Sequence, residues 1–418
     1  MITYPQLPDH SLCCGCGACI DACNKSALSL KEDKDGFYNV ILDKNKCIGC
    51  KVCEKQCHIL NQNRIVRSSP KKVKPLAGWS LDEDIIRRSA TGGIFTQIAY
   101  TMLQEGNTCV YGAALTDQSS VEHIEVLDVC DLWKLQNSKY QQSYAVGIYR
   151  KVRDRLKEGK RVLFSGTPCM VAALQSYLGN KSALSNQLYT IEIICHGVPT
   201  SVLHRNGLKI NKAAGLYAYR NKVEPDGWLY GGNNKVGYKM KDGSVKVMPN
   251  RVSDFLFRSY LTMSFLRPSC YACRYANIHR VADITIGDFW GFHKSARKDE
   301  YFHPMGSSII LPNTQKGEMM IQSCPNLHTV DVAWRDFLPY NQNLYMPSNK
   351  AIFKCSGLVH YIEMLPLCIR RIVYQNGFTN PAIDKLYQKI YRILYKNLIR
   401  KKETESLAAA NNAMMETE

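Results

Sequence analysis

Two runs of cysteines constrain this chain more than any other feature. Cys13, Cys16, Cys19 and Cys23 are spaced C-x2-C-x2-C-x3-C, and Cys47, Cys50, Cys53 and Cys57 repeat that spacing 34 residues later. A short loop with a thiol at every third residue can wrap three iron corners of a cubane, and in two-cluster modules the fourth cysteine of each run crosses to the other cluster. The spacing therefore predicts two 4Fe-4S clusters, one on Cys13, Cys16, Cys19 and Cys57, the other on Cys47, Cys50, Cys53 and Cys23. Zinc also takes four cysteines, but typically as separated C-x2-C pairs, which two identical four-cysteine runs do not resemble. Gly15, Gly17 and Gly49 suit the tight backbone of such loops. The proline usual after the fourth cysteine is Asn24 in one run and His58 in the other, which bears on loop stiffness and not on ligand number. Cys14 is left over and reads as a packed or disordered thiol.

Between the runs, ALSLKEDKDGFYNVIL reads as a hairpin turning at Asp35-Gly36, so residues 1–62 are expected to form an α+β ferredoxin-like two-cluster module. A chain of 418 residues is too long for that alone. Residues 63–75, polar, basic and proline-bearing, read as a linker to a larger α/β body with a mixed sheet over 76–345. There strand-like runs (TCVYGAAL at 108–115, RVLFSG at 161–166, LYTIEII at 188–194, ADITIG at 282–287, SSIIL at 307–311) alternate with helix-like ones beginning at Gly93, Gly147 and Met170. NNKVGYKMKDGSVKVM reads as a hairpin turning at Asp242-Gly243. Residues 346–402 are expected as a basic helical extension, and 403–418 as a disordered tail.

Hydrophobic residues at 45% and charged residues at 22% describe a globular protein with a substantial core. The opening MITYPQLPDH has no basic start or apolar stretch of a secretory leader, and the cysteine use suits a reducing compartment, so a cytoplasmic location is expected. The net charge of +18 invites a nucleic-acid reading, but from Pro366 to Lys402 nine basic residues face Asp384 alone, and no aromatic-interleaved basic motif accompanies them. No nucleic-acid partner is expected. The basic helix is read as packing on the body, docking to an acidic partner, or lying on an anionic membrane.

The body carries Cys169 in SGTPC, Cys195 in ICHG, and Cys270 with Cys273 in PSCYAC. Cys169 and Cys195 each follow an expected strand, so parallel neighbours would bring both to one carboxyl edge, where the C-x2-C pair could join them. A third cluster is expected, with zinc left open. Cys109, Cys130, Cys324, Cys355 and Cys368 lack this context and read as structural. SATGG at 89–93, before a helix, offers free backbone N–H groups where a phosphate could sit, or is an ordinary helix start. His196 reads as a core hydrogen-bonder or a proton donor. Asp288 in GDFWG reads as a flavin or substrate contact, or as a helix cap.

In order, SATGG, NSKYQQS (137–143), VLFSGTPCMVAAL (162–174), ICHGVP (194–199) and CYACRYANIHRVADITIGDFWG (270–291) resemble the beta subunit of coenzyme F-420 hydrogenases and dehydrogenases, from about Lys74 to about Ile321. The resemblance implies a flavin-binding body with FAD and a further 4Fe-4S cluster, which Cys169, Cys195, Cys270 and Cys273 would hold. It implies flavin contacts at Thr91, Gly92, Gly93, Ser138, Lys139 and Tyr140. The function so implied is an iron–sulfur flavoprotein oxidoreductase passing electrons between clusters, FAD and a small-molecule two-electron partner, deazaflavin F-420 or another, with ferredoxin or another redox protein at the one-electron end. The competing reading is a non-enzymatic electron-transfer subunit, distinguished by the absence of flavin.

Overall fold

The structure, a computed structural model, describes residues 3–348 apart from 118, 180–181, 223–233, 249–253, 255, 258–259, 261–262 and 264, together with 406 and 408–417. In the N-terminal module, β1 (Leu28–Glu32) and β2 (Tyr38–Leu42) pair antiparallel about the expected turn, Leu28 opposite Leu42 and Glu32 opposite Tyr38. Asp33 builds that turn, its carboxylate accepting from the N–H groups of Asp35 and Phe37 at 2.9 and 3.0 Å. Two one-turn helices, Ala18–Asp21 and Val52–Lys55, present the third cysteine of each run and touch each other.

The body follows as β3 (Leu76–Ser80), β4 (Thr108–Leu115), β5 (Val121–Val126), β6 (Arg161–Gly166), β7 (Leu188–Ile193), β8 (Gly215–Lys222), β9 (Asn234–Lys239), β10 (Val245–Val247), β11 (Ile284–Asp288), β12 (Ser308–Pro312) and β13 (Leu327–Asp331). Eight of these form one mixed sheet in the order β13-β3-β12-β11-β7-β6-β4-β5. Its centre, β4, β6, β7 and β11, is parallel, and antiparallel strands flank it on both sides. β8, β9 and β10 make a separate meander, with the β9-β10 hairpin turning where the sequence placed it.

Helices α1 (Ile94–Gln104), α2 (Ile148–Lys157), α3 (Pro168–Leu178), α4 (Ser201–Ile210) and α5 (Gln315–Gln322) surround the sheets. Successive strand residues point to opposite faces, so Val162 and Phe164 of β6 enter one core with α2 and α3, while Leu163 enters the other with α1 and Met320 of α5. The first core also takes in Ala18 and Ala22 of the cysteine module, with Cys16, Cys169 and Cys273 packed against it. The module is thus seated on the body's α2/α3 face.

Two expectations change. The segment at 63–75 is a packed strap: Ile65 and Val73 are buried, Val66 N–H donates to Gln175 at 3.0 Å, and Ser68 N–H to the Arg280 carbonyl at 2.8 Å. The disordered tail expected over 403–418 is corrected, because residues 408–415 are helical and bury Ala410 and Ala413, and Glu416 meets His279 at 2.8 Å. Alanines at that spacing make a narrow apolar face, easily overlooked amid polar neighbours. The basic extension expected over 346–402 lies outside the described residues beyond Ser348, as do Cys355 and Cys368. Among the described residues no helix is long and apolar enough to cross a membrane.

Candidate redox site

Cys13, Cys16, Cys19 and Cys57 line a single cavity walled by Leu7, Ala18, Val40 and Ile59. Cys57 of the second run thus shares this cavity with the first three cysteines of the first run, and Cys14 and His58 line it as well. Loop geometry explains the reach: Gly15 and Gly17 hold φ of 65° and 84°, which turn the chain around Cys16. Burial raises the Cys19 and Cys57 thiols above their usual range; at Cys16 it does so against a hydrogen bond with Cys14. Thiolates there need a positive partner, which bound iron supplies. In the second set, Cys53 has Cys23 among its charged neighbours, Ala27 N–H donates to Cys23 Sγ at 3.4 Å, and Cys50 is exposed. The first set thus faces the body and the second faces outward.

In the body, β6 and β7 are parallel neighbours, so Cys169 at the start of α3 and Cys195 just past β7 stand at the same carboxyl edge. Cys270 sits in the turn Pro268–Ala272, and the electrostatic neighbours of Cys195 are Cys270, Cys169 and Cys273. Backbone N–H groups of Gly197 and Val198 donate to Cys195 and Cys270 sulfur, each at 3.4 Å. All four keep some accessible surface, yet burial pushes Cys270 up to about 12 and raises Cys195 and Cys273. Their loop is tied to the sheet by Arg280, which donates to Glu192 at 2.6 Å and to the carbonyls of Tyr275 and Asn277 at 2.8 Å. Both partners are almost fully buried, so losing either would strand a charge.

Further along this edge lie the residues expected around a flavin. Thr91 Oγ1 donates to the Ser307 carbonyl and Gly92 N–H to Ser308 Oγ, both at 3.1 Å. A Cβ on Gly92 would stand 2.5 Å from the Gly78 carbonyl oxygen, so sheet packing alone demands glycine there. Gly93 N-caps α1 at φ 79°. Ser308 is the register partner of Asp288, and Asp288 accepts from Arg220 Nη1 at 2.9 and 3.2 Å. Tyr140 counts Arg220 and Asp288 among its charged neighbours and packs on Tyr260 at 4.4 Å between ring centroids. Ser138 N–H is bonded within its own loop to Asn137, at 2.7 Å. Lys139 donates to the Gln136 carbonyl at 2.6 Å, and burial brings its pKa down to about 7. His196, its pKa lowered by burial, has Asp288 and Arg220 as charged neighbours.

Two residues here escaped the sequence reading. Arg220 is buried with Nε and Nη2 lacking a hydrogen-bond partner among the described residues, and nothing in GLYAYRNK singles it out. Tyr260 packs on Tyr140 and has the thiols of Cys195 and Cys270 among its electrostatic neighbours. Of the other cysteines, Cys109 and Cys324 are core residues and Cys130 is exposed.

Residues 12–59 match the 4Fe-4S dicluster domain, and residues 159–333 match the family formed by the C-terminal part of the coenzyme F-420 hydrogenase/dehydrogenase beta subunit. The chain is similar to that family over residues 159–333, with a match to the dicluster domain in front of it. The beta-subunit match spans the GTPC, CHG, C-x2-C and GDFWG motifs, while SATGG and NSKYQQS precede it. A curated relative, the F subunit of F(420)H(2) dehydrogenase from Methanosarcina mazei, is 22% identical over 316 residues, covering 71% of this chain and 83% of its own length. A chain of the F-420-reducing NiFe hydrogenase complex from Methanosarcina barkeri aligns with a TM-score of 0.43 and 16% identity, covering 64% of this chain and 84% of that one. The two matches make iron–sulfur electron transfer of oxidoreductase kind the coarse function they support.

Proposed function

We propose that the protein is an FAD- and 4Fe-4S-dependent oxidoreductase that passes electrons between the outer cluster of its dicluster domain, one at a time, and a small molecule, in pairs. One observation carries this reading: the thiols form a graded series. It runs from exposed Cys50, through the cavity of Cys13, Cys16, Cys19 and Cys57, to Cys169, Cys195, Cys270 and Cys273 and on to the Tyr260–Tyr140 pair. A relay needs such a series, and a metal site built for stability alone does not.

The donor sets fit the groups required. Four neighbouring thiols suit a third cubane, and N–H groups on Cys195 and Cys270 sulfur would raise its potential. Beyond Tyr140, the free N–H groups of Arg220 and the nearby Lys139 suit an anionic ligand such as a flavin phosphate. FAD, when bound, supplies the exchange between one-electron and two-electron chemistry. The chain's part is to hold it near the body thiols and to exclude water with Tyr140, Tyr219, Phe257 and Tyr260. The Methanosarcina mazei relative's name makes reduced F-420 the first two-electron partner to try.

Anaerobic reconstitution tests the reading. About twelve irons per chain and one extractable FAD are expected; about eight irons would confine clusters to the dicluster domain. Iron without flavin would leave a non-enzymatic electron-transfer subunit.

A further inference from the structure

Cys14 belongs to neither thiol set by spacing, yet it occupies the most informative place in the molecule. Its thiol has Cys16 of the inner dicluster set and Cys169 of the body set as its nearest electrostatic neighbours. His58 Nε2 lies 3.2 Å from its sulfur, and the ligand atoms of Cys14, Cys16 and His58 fall within 4.8 Å of one another. The opposite ring nitrogen of His58 meets Tyr275 Oη at 2.5 Å, so the residue after Cys57 is linked to the second residue after Cys273. Tyr149, fully buried, sends a hydroxyl with no hydrogen-bond partner among the described residues into the same neighbourhood, its charged neighbours being Cys16, Cys14 and Cys169.

The position is held from the body. Arg267, 1% exposed, donates from Nε to the Cys13 carbonyl at 2.7 Å. Gln142 Nε2 donates to the carbonyls of Cys14 and Gly15 at 3.1 and 3.0 Å, and Arg267 Nη1 donates back to Gln142 Oε1 at 3.1 Å. A spare surface thiol would have no reason to be clamped on both sides by a buried arginine network. Electron tunnelling weakens steeply with every ångström of empty gap, and a chain of atoms in contact conducts far better than a void.

We propose that Cys14 is the bridge by which electrons cross from the dicluster domain to the body, a positioning residue and not an iron ligand. The proposal rests on the three-cluster reading above. In each crossing one electron leaves the reduced inner cluster and enters the oxidised body cluster. No bond forms or breaks.

The test uses the full chain, reconstituted anaerobically, as wild type, Cys14→Ser and Cys14→Ala. Iron content is measured with freeze-quench electron paramagnetic resonance of the clusters after rapid reduction of the dicluster end. Expected are unchanged iron and unchanged signals at equilibrium in both variants, with appearance of the reduced body cluster slowed by about an order of magnitude in Cys14→Ala and less in Cys14→Ser. An unchanged transfer rate in Cys14→Ala overturns the proposal. Loss of about four irons in either variant also overturns it, because Cys14 would then be a ligand. Wild-type protein holding only about eight irons removes the three-cluster reading itself, and the bridge with it.

Discussion

At Gly17 and Lys51 the two cysteine runs take the same left-handed turn, with φ of 84° and 57°, yet only one is glycine. A Cβ on Gly17 would stand 3.2 Å from Val146 of the body, whereas Lys51 lies on the partly exposed outer loop. The inner loop needs glycine for close approach and the outer loop tolerates a strained lysine. His58 makes a similar point: where a proline is usual, a buried imidazole joins Cys14 to Tyr275, a role invisible without the body. Lys139 yields a pH prediction. Burial has lowered its pKa from 10.5 to about 7, so it is charged below that pH and neutral above it. An anionic ligand needs the ammonium, so FAD affinity of the apoprotein is expected to fall as pH rises from about 7 towards 9. Lys139→Met should bind weakly at every pH with that slope gone; flavin fluorescence titration reads both, and an unaltered slope would refute the assignment.

Among the elements, the short helix Ala18–Asp21 does more than present Cys19. Its last residue, Asp21, is buried and caps α2 of the body, accepting from Gly147 N–H at 2.6 Å and Arg150 N–H at 3.2 Å. An N-cap is worth about 0.5–2 kcal/mol, and this one joins two modules. Asp21→Ala is expected to lose about that much stability and to speed proteolysis within the strap at 63–75, while Asp21→Asn keeps one acceptor and most of the protection. Equal proteolysis of all three would show that the modules are held elsewhere. Strand legibility followed burial. β4 and β6, apolar in long runs at the sheet centre, match the sequence reading end to end, whereas β3, β5, β8 and β13 were missed. β5 (VEHIEV) and β13 (LHTVD) carry polar residues on partly exposed flanks, and β3 (LAGWS) is short and small-sided. Their pairing partners, distant in sequence, make them strands.

The whole molecule presents its outer cluster loop to solvent: Cys50 is exposed, Ile48 is 57% exposed, and Lys25, Lys44, Lys46 and Lys55 stand exposed beside the second thiol set. Such a face suits an acidic one-electron carrier, and attraction between exposed charges is screened within about 10 Å at 0.1 M salt. Electron input from an acidic ferredoxin is therefore expected to slow as salt rises, through association and not through the limiting rate. Lys44→Glu with Lys46→Glu should lower the association rate and flatten the salt dependence in stopped-flow mixing. Insensitivity to both would place the electron inlet on another face.

The sequence by itself determined the dicluster module, because cluster ligation is largely local: three thiols of each run close on one cubane from a single loop, and the repeat of the run supplies the fourth. It also placed Cys169 and Cys195 at one carboxyl edge, since β–loop–α order in a parallel sheet sends loop residues there. Only the tertiary structure decided that Cys14 lies beside His58 and that Arg267, Arg220 and Tyr260 stand beside the residues the sequence singled out. Those roles depend on contacts between residues up to 254 positions apart, as between Arg267 and Cys13, and no local pattern encodes a partner that distant.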